Sequence, residues 1–131
     1  MQNLDAIRRK FAALVQIGIG SFPAEVHAQL GQIAYVWNSA DALEKLTICQ
    51  SGFELCYLND VNCVPFDRIC SIGNIPTLRD IHAIVISKDV WRVLVFDVIT
   101  DVEIIKIKLP YLIYSAFEPF LSELTRSWPR E

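Results

Sequence analysis

From Gln32 onward the chain is written in short apolar runs separated by turn residues, which commits most of its length to β-strands. The runs fall at 33–37, 45–49, 53–58, 61–66, 69–72, 81–87, 90–98 and 102–109. Ser51-Gly52, Asn59-Asp60 and Lys88-Asp89 read as hairpin turns, with Thr100-Asp101 as a further one. In 90–98, Trp91, Val93 and Val95 alternate with Arg92, Leu94 and Phe96, so both faces carry apolar groups and the strand is expected to be covered on two sides. In 102–109, Lys106 and Lys108 point one way while Ile105, Ile107 and Leu109 point the other, the pattern of a half-exposed strand.

Helical patterns bracket this region. Leu4, Ile7, Phe11, Leu14 and Val15 recur at helical spacing, Asn3 is a ready N-cap, and Gly18 and Gly20 are stop signals. Arg8-Arg9-Lys10 before an apolar stretch imitate a secretion signal, but Asp5 and Gln16 interrupt that pattern, and an amphipathic helix is the better reading. A second helix is expected over 22–30, with Ser21 as its cap, Pro23 in its first turn and Gly31 as its stop. At the other end Tyr114, Phe117, Phe120, Leu121, Leu124 and Trp128 share one helical face. Pro119 is tolerable if the Ser115/Glu118 pattern caps the helix, so the helix is expected to start near Ser115.

The bounds on function are mostly negative. A chain of 131 residues reads as a single domain, 1–131: a helical segment 1–31, a β region 32–110 and a terminal helix 111–131. Apolar residues make up 53% and charged ones 21%, too apolar for disorder, and a net charge of −3 argues against nucleic acid. No apolar run is long enough to cross a membrane as a helix. Cys49, Cys56, Cys63 and Cys70 lack the close pairs of a zinc site and are expected to be small buried side chains in a reducing cytoplasm. Asp80 and His82 would share a face on a strand but have no third partner nearby in sequence. Gly18-Ile-Gly20 lacks the third glycine of a dinucleotide loop, and no nucleophile elbow, phosphate loop or zinc-protease motif occurs. The chain is therefore read as no enzyme, with no catalytic residue, metal or cofactor.

The stretch from Gly52 to Leu124 resembles the pleckstrin-homology-like group, its PH/GRAM branch in particular. The residues that carry the resemblance are Gly52-Phe-Glu-Leu-Cys-Tyr-Leu, Val64-Pro-Phe-Asp-Arg-Ile69, the run from Ile84 through Lys88-Asp89 to Phe96, and the terminal helix. The resemblance implies an α+β, mainly β fold: an antiparallel barrel or sandwich of about seven strands, capped by the C-terminal helix and preceded by one or two N-terminal helices. Members that hold inositol phosphates resemble one another in a basic first hairpin. Here the segment from Trp37 to Lys45 offers Asp41 and Glu44 against a single Lys45.

The leading expectation is a non-catalytic module acting through protein contacts, with a protein partner or a second copy covering Trp37, Trp91 and Phe11. The alternative is a phosphoinositide or membrane-surface binder using Lys45, Arg68, Lys88 and Arg92, with Arg8, Arg9 and Lys10 beside the first helix as an interfacial anchor. A third is a small-ligand cavity with His27 or His82 in its wall. A fourth, an acidic dimeric secretion-type chaperone, wants a helix inside the strand series, and residues 77–83 read as too short and too β-branched to supply it.

Overall fold

The computed structural model describes residues 2–127, and Trp128 of the aromatic stripe lies outside them. Its contacts divide the chain into two compact units, Met1–Arg68 and Ile69–Glu131. The architecture is α+β and rich in strands, with a helix at each end.

The first unit opens with helix α1 (Leu4–Gln16), where the Asn3 side chain accepts from the Asp5 and Ala6 amides at 2.9 and 3.2 Å. The stripe Ile7, Phe11 and Leu14 is buried, and the helix packs on strand β2 (Gly31–Asn38). A short β1 (His27–Ala28) flanks β2, and β3 (Glu44–Cys49), β4 (Gly52–Tyr57) and β5 (Asp60–Pro65) extend it as an antiparallel meander in the order β1-β2-β3-β4-β5. The register sets Leu46 against Leu55 and Ile48 against Phe53, so alternation sends these four to one face. All are buried there.

The expected helix over 22–30 is absent. The Ser21 amide and carbonyl both bond to Val36, and the Val26 carbonyl accepts from Ile33. Strand pairing therefore takes the backbone groups that a helix would use, and Glu25 has a positive φ of 35°.

The second unit holds β6 (Ile69–Gly73), helix α2 (Leu78–Ser87), β7 (Val93–Thr100), β8 (Ile104–Pro110) and α3 (Tyr111–Ser127). Its strands form a separate antiparallel sheet, β6-β7-β8. The expected seven-strand continuity is broken after Pro65, where a 3-10 turn over Phe66–Arg68 ends the first meander. As the alternation required, Ile105, Ile107 and Leu109 are buried and Lys106 and Lys108 exposed. Helix α3 packs on all three strands, with Phe96 edge-on to Tyr114 and Phe117.

Two boundaries differ from the sequence reading. The run 81–87, expected as a strand, is the body of α2. A capping box starts it: Thr77 Oγ1 accepts from the Asp80 amide and Asp80 Oδ2 from the Thr77 amide. Local capping here outweighs the β-branched composition. Helix α3 starts at Tyr111 rather than Ser115, because the Arg92 and Val90 carbonyls satisfy the amides of Tyr111 and Leu112. That use of Val90 and Arg92 also delays β7 to Val93. Pro119 consequently lies inside the helix and forfeits its bond to the Ser115 carbonyl. The burial of Ile113, Tyr114, Phe117, Phe120, Leu121 and Leu124 offsets that loss.

Gly18 and Gly20 both have positive φ, 84° and 77°, but only Gly20 abuts a ring, that of Tyr35. Gly20→Ala is expected to cost more than about 2 kcal/mol and Gly18→Ala about 1 kcal/mol. Urea denaturation of the two variants measures the difference.

Candidate functional site

On α2 the buried side is Ile84, supported by half-buried Ile81. Leu78, His82, Val85 and Ile86 follow at i, i+4, i+7 and i+8, a second stripe turned away from the first. This stripe is open: Leu78 is 89% and Ile86 67% exposed. Beyond the αL cap at Lys88 (φ 59°), Trp91 is 54% exposed. Val93 and Val95 then stand on the exposed face of β7, opposite Pro110 and Lys108. The second unit thus carries several large apolar side chains that fill no core, the kind of surface that marks a contact site.

The same strand face holds one buried carboxylate. Asp97 accepts from Asn74 Nδ2 at 2.6 Å and sits 3.6 Å from Lys106 Nζ. Asn74 has φ 50° and leads into α2, so this contact anchors the start of the helix to β7. Lys106 is largely exposed, so its share is that of a surface ion pair.

The residues singled out from sequence divide between the units. Lys45 lies exposed on β3 and Arg68 ends the 3-10 turn, both in the first unit; Lys88 caps α2 and Arg92 pairs with Asp89 at 3.9 Å, both in the second. Of the three interface candidates, Trp91 is open to solvent. Trp37 and Phe11 are buried, Phe11 stacked on Tyr35 with ring centroids 4.6 Å apart, and neither offers surface. Because the stripe of α1 is spent on β2, it is not free to lie in a membrane interface, and Arg8 turns to the Pro23 carbonyl and the Phe22 ring.

The first hairpin is organised around an acid. Asp41 Oδ1 accepts from Ser39 Oγ at 2.6 Å and from the Leu43 amide at 3.1 Å. These hydrogen bonds hold its carboxyl below the ordinary carboxylate pKa. A loop built on a carboxylate is a poor seat for a polyphosphate.

Only Cys49 among the cysteines is buried, which corrects the expectation that all four would be. Cys56, half-buried, and Cys63, exposed, pair across the sheet with Lys45 and Glu54 on the face opposite Leu46 and Phe53, a face that also holds the buried Thr47. Burial, with the charges of Glu54 and Cys63, pushes the Cys49 thiol up to about 11. Asp80 and His82 do not share a face, because α2 turns residues two apart away from each other. A shallow depression of about 290 Å³ in the first unit is lined by Asp5, Arg8, Arg9, Ala12 and Phe22 and contains neither histidine. Among the described residues no group of three His, Cys, Asp or Glu side chains is placed to hold a metal, and no helix is long and apolar enough to cross a membrane.

Sequence reading named Trp91 among its candidates but missed the stripe of α2. The signal was present as Thr77-x-x-Asp80 behind Pro76, followed by apolar residues at helical spacing.

If the stripe serves contact rather than folding, Leu78→Gln will shift the unfolding free energy by less than about 0.5 kcal/mol. Ile84→Ala, by contrast, will cost about 2–5 kcal/mol. The hairpin has its own test. A lowered carboxyl pKa stabilises the folded form above its ordinary value of 3.8 and loses that effect as pH falls through the lowered value. The Leu43 amide resonance should therefore titrate with a midpoint below 3.8, and Asp41→Asn should abolish the titration.

Comparison with protein-family models, with curated proteins and with solved structures returned no match.

Proposed function

We propose that this chain is a non-catalytic interaction module of the pleckstrin-homology-like kind, acting through protein contacts. The fold part of the reading is supported by element order. Four strands, β2 to β5, run as one meander, three, β6 to β8, as another, and a helix packed on the second meander closes the chain. Helix α2 and strand β1 are additions to that plan.

The observation that carries the functional part is the exposed apolar stripe of α2 with Trp91 beyond it. Stripes of Leu and Ile flanked by an exposed Trp suit a partner that presents its own apolar surface, and Trp supplies the anchoring contact. The competing phosphoinositide reading rests on Lys45, Arg68, Lys88 and Arg92, of which Arg92 is paired with Asp89, while the first hairpin holds Asp41.

A second reading gains from α2. The dimeric secretion-type chaperone needed a helix within the strand series, and Leu78–Ser87 supplies one in a chain of pI 5.3. It expects the α2 face to be buried between two copies, so Leu78→Asp would convert a dimer to monomer.

A photo-crosslinking residue at Leu78 or Ile86 should yield a discrete protein adduct in cells, whereas the same residue at Asp101 should not. Cosedimentation with vesicles containing single phosphoinositides should show no saturable binding at physiological salt. Saturable binding to one headgroup, lost in Lys88→Ala or Arg92→Ala, would replace the protein-contact reading.

A further inference from the structure

The first sheet ends on a strand whose residues 60–64 lack the usual protection of an edge. Natural sheets blunt their edges with very short strands, bulges, lysines, prolines or covering segments. β1 is two residues long, and the bridge from Ser21 to Val36 covers more of β2. β6 has a register shift between Ile69 and Ser71. β8 carries Lys106, Lys108 and Pro110. β5 pairs with β4 over six residues without a shift, contains no lysine or arginine, and has its one proline, Pro65, at its last position. Residues 60–63 are all exposed, Val61 at 58%, and no strand lies beyond β5 among the described residues.

The ladder fixes which backbone groups are open. The Phe66 amide donates to the Ser51 carbonyl at 2.9 Å, and pairing proceeds from there as Phe53/Val64, Leu55/Asn62 and Tyr57/Asp60. In an antiparallel pair, hydrogen-bonded rungs alternate with open ones. Those three pairs are therefore the bonded rungs, and Val61 and Cys63 between them turn their N–H and C=O groups away from β4.

We infer that β5 is a self-association edge, joining a second copy of this chain through antiparallel β5–β5 pairing with Val61 of one copy opposite Cys63 of the other. That register satisfies both outward donors of each copy and makes four new backbone hydrogen bonds. A shift that brings Val61 opposite Pro65 leaves the Val61 carbonyl without a donor, because proline has no N–H. The charge pattern selects the direction. Parallel in-register pairing would set Asp60 beside Asp60, whereas the antiparallel register puts the two four residues apart, about 14 Å along the strand. A second copy is the occupant because the strand is its own complement in this register. The inference is independent of the α2 surface.

Sedimentation velocity of the full chain should give a dimer of twice 14.9 kDa. Val61→Pro removes an N–H that faces away from β4, so it should keep the circular dichroism of the native chain and sediment as monomer, while Ile86→Lys should remain a dimer. The register has a second test, independent of how well Val61→Pro folds. Asn62 would face its own copy across a non-bonded rung, with Cα atoms about 4.5 Å apart, within disulfide range. With Cys56, Cys63 and Cys70 changed to Ser, Asn62→Cys should form a disulfide-linked dimer under mild oxidation and Asp60→Cys should not. A monomeric wild-type chain, a folded Val61→Pro dimer, or equal crosslinking at positions 60 and 62 overturns the inference.

Discussion

The first unit depends on what surrounds one phenol ring. Tyr35 is fully buried on β2, its face stacked on Phe11 of α1 and its edge approached by Phe22 with centroids 6.2 Å apart. Its hydroxyl donates to the Ile19 carbonyl at 2.9 Å, and its ring leaves room at Gly20 for nothing larger than hydrogen. Helix, connecting segment and sheet therefore meet at one side chain. An aromatic stack supplies attraction and shape, while the hydrogen bond fixes orientation and spares a buried oxygen from going unpaired. Burial raises the tyrosine pKa, so the hydroxyl stays neutral and remains a donor.

The second unit is held differently. Its sheet is narrow, and α3 covers it with an aromatic and aliphatic stripe continuous enough to carry a proline in mid-helix. The segment before β7 serves α3 by lending it the carbonyls of Val90 and Arg92. With those groups committed, Trp91 between them is presented outward. Helix α2 is tethered lightly by comparison, through Ile84 and the Asn74–Asp97 contact. The apolar residues left open on it are thus a consequence of how few of its positions the core requires.

The strands of the first meander were legible to within two residues, because alternation and two-residue turns are local signals that the tertiary fold reinforces. So were α1 and its Asn3 cap. Failures came where a distant backbone group decided. Nothing local in 22–30 says that Val36 will bond to Ser21, and nothing in 111–114 says that Val90 and Arg92 will start a helix before Ser115. The run 81–87 is a different kind of error: its cap was readable, and its β-branched residues were given more weight than they carry. For the candidate surface, Trp91, Trp37 and Phe11 were named alike from sequence. Burial separates them, and burial is a property of the whole fold.

The seven-residue cysteine spacing has a use that its chemistry does not suggest. Cys49 is sealed in the sheet, whereas Cys63 and Cys70 are exposed. Alkylation at neutral pH will therefore proceed at the outer thiols while Cys49 waits for β3 to come away from its neighbours. The lag of that one sulfur is a clock for opening of the first meander, readable by mass in the unaltered chain.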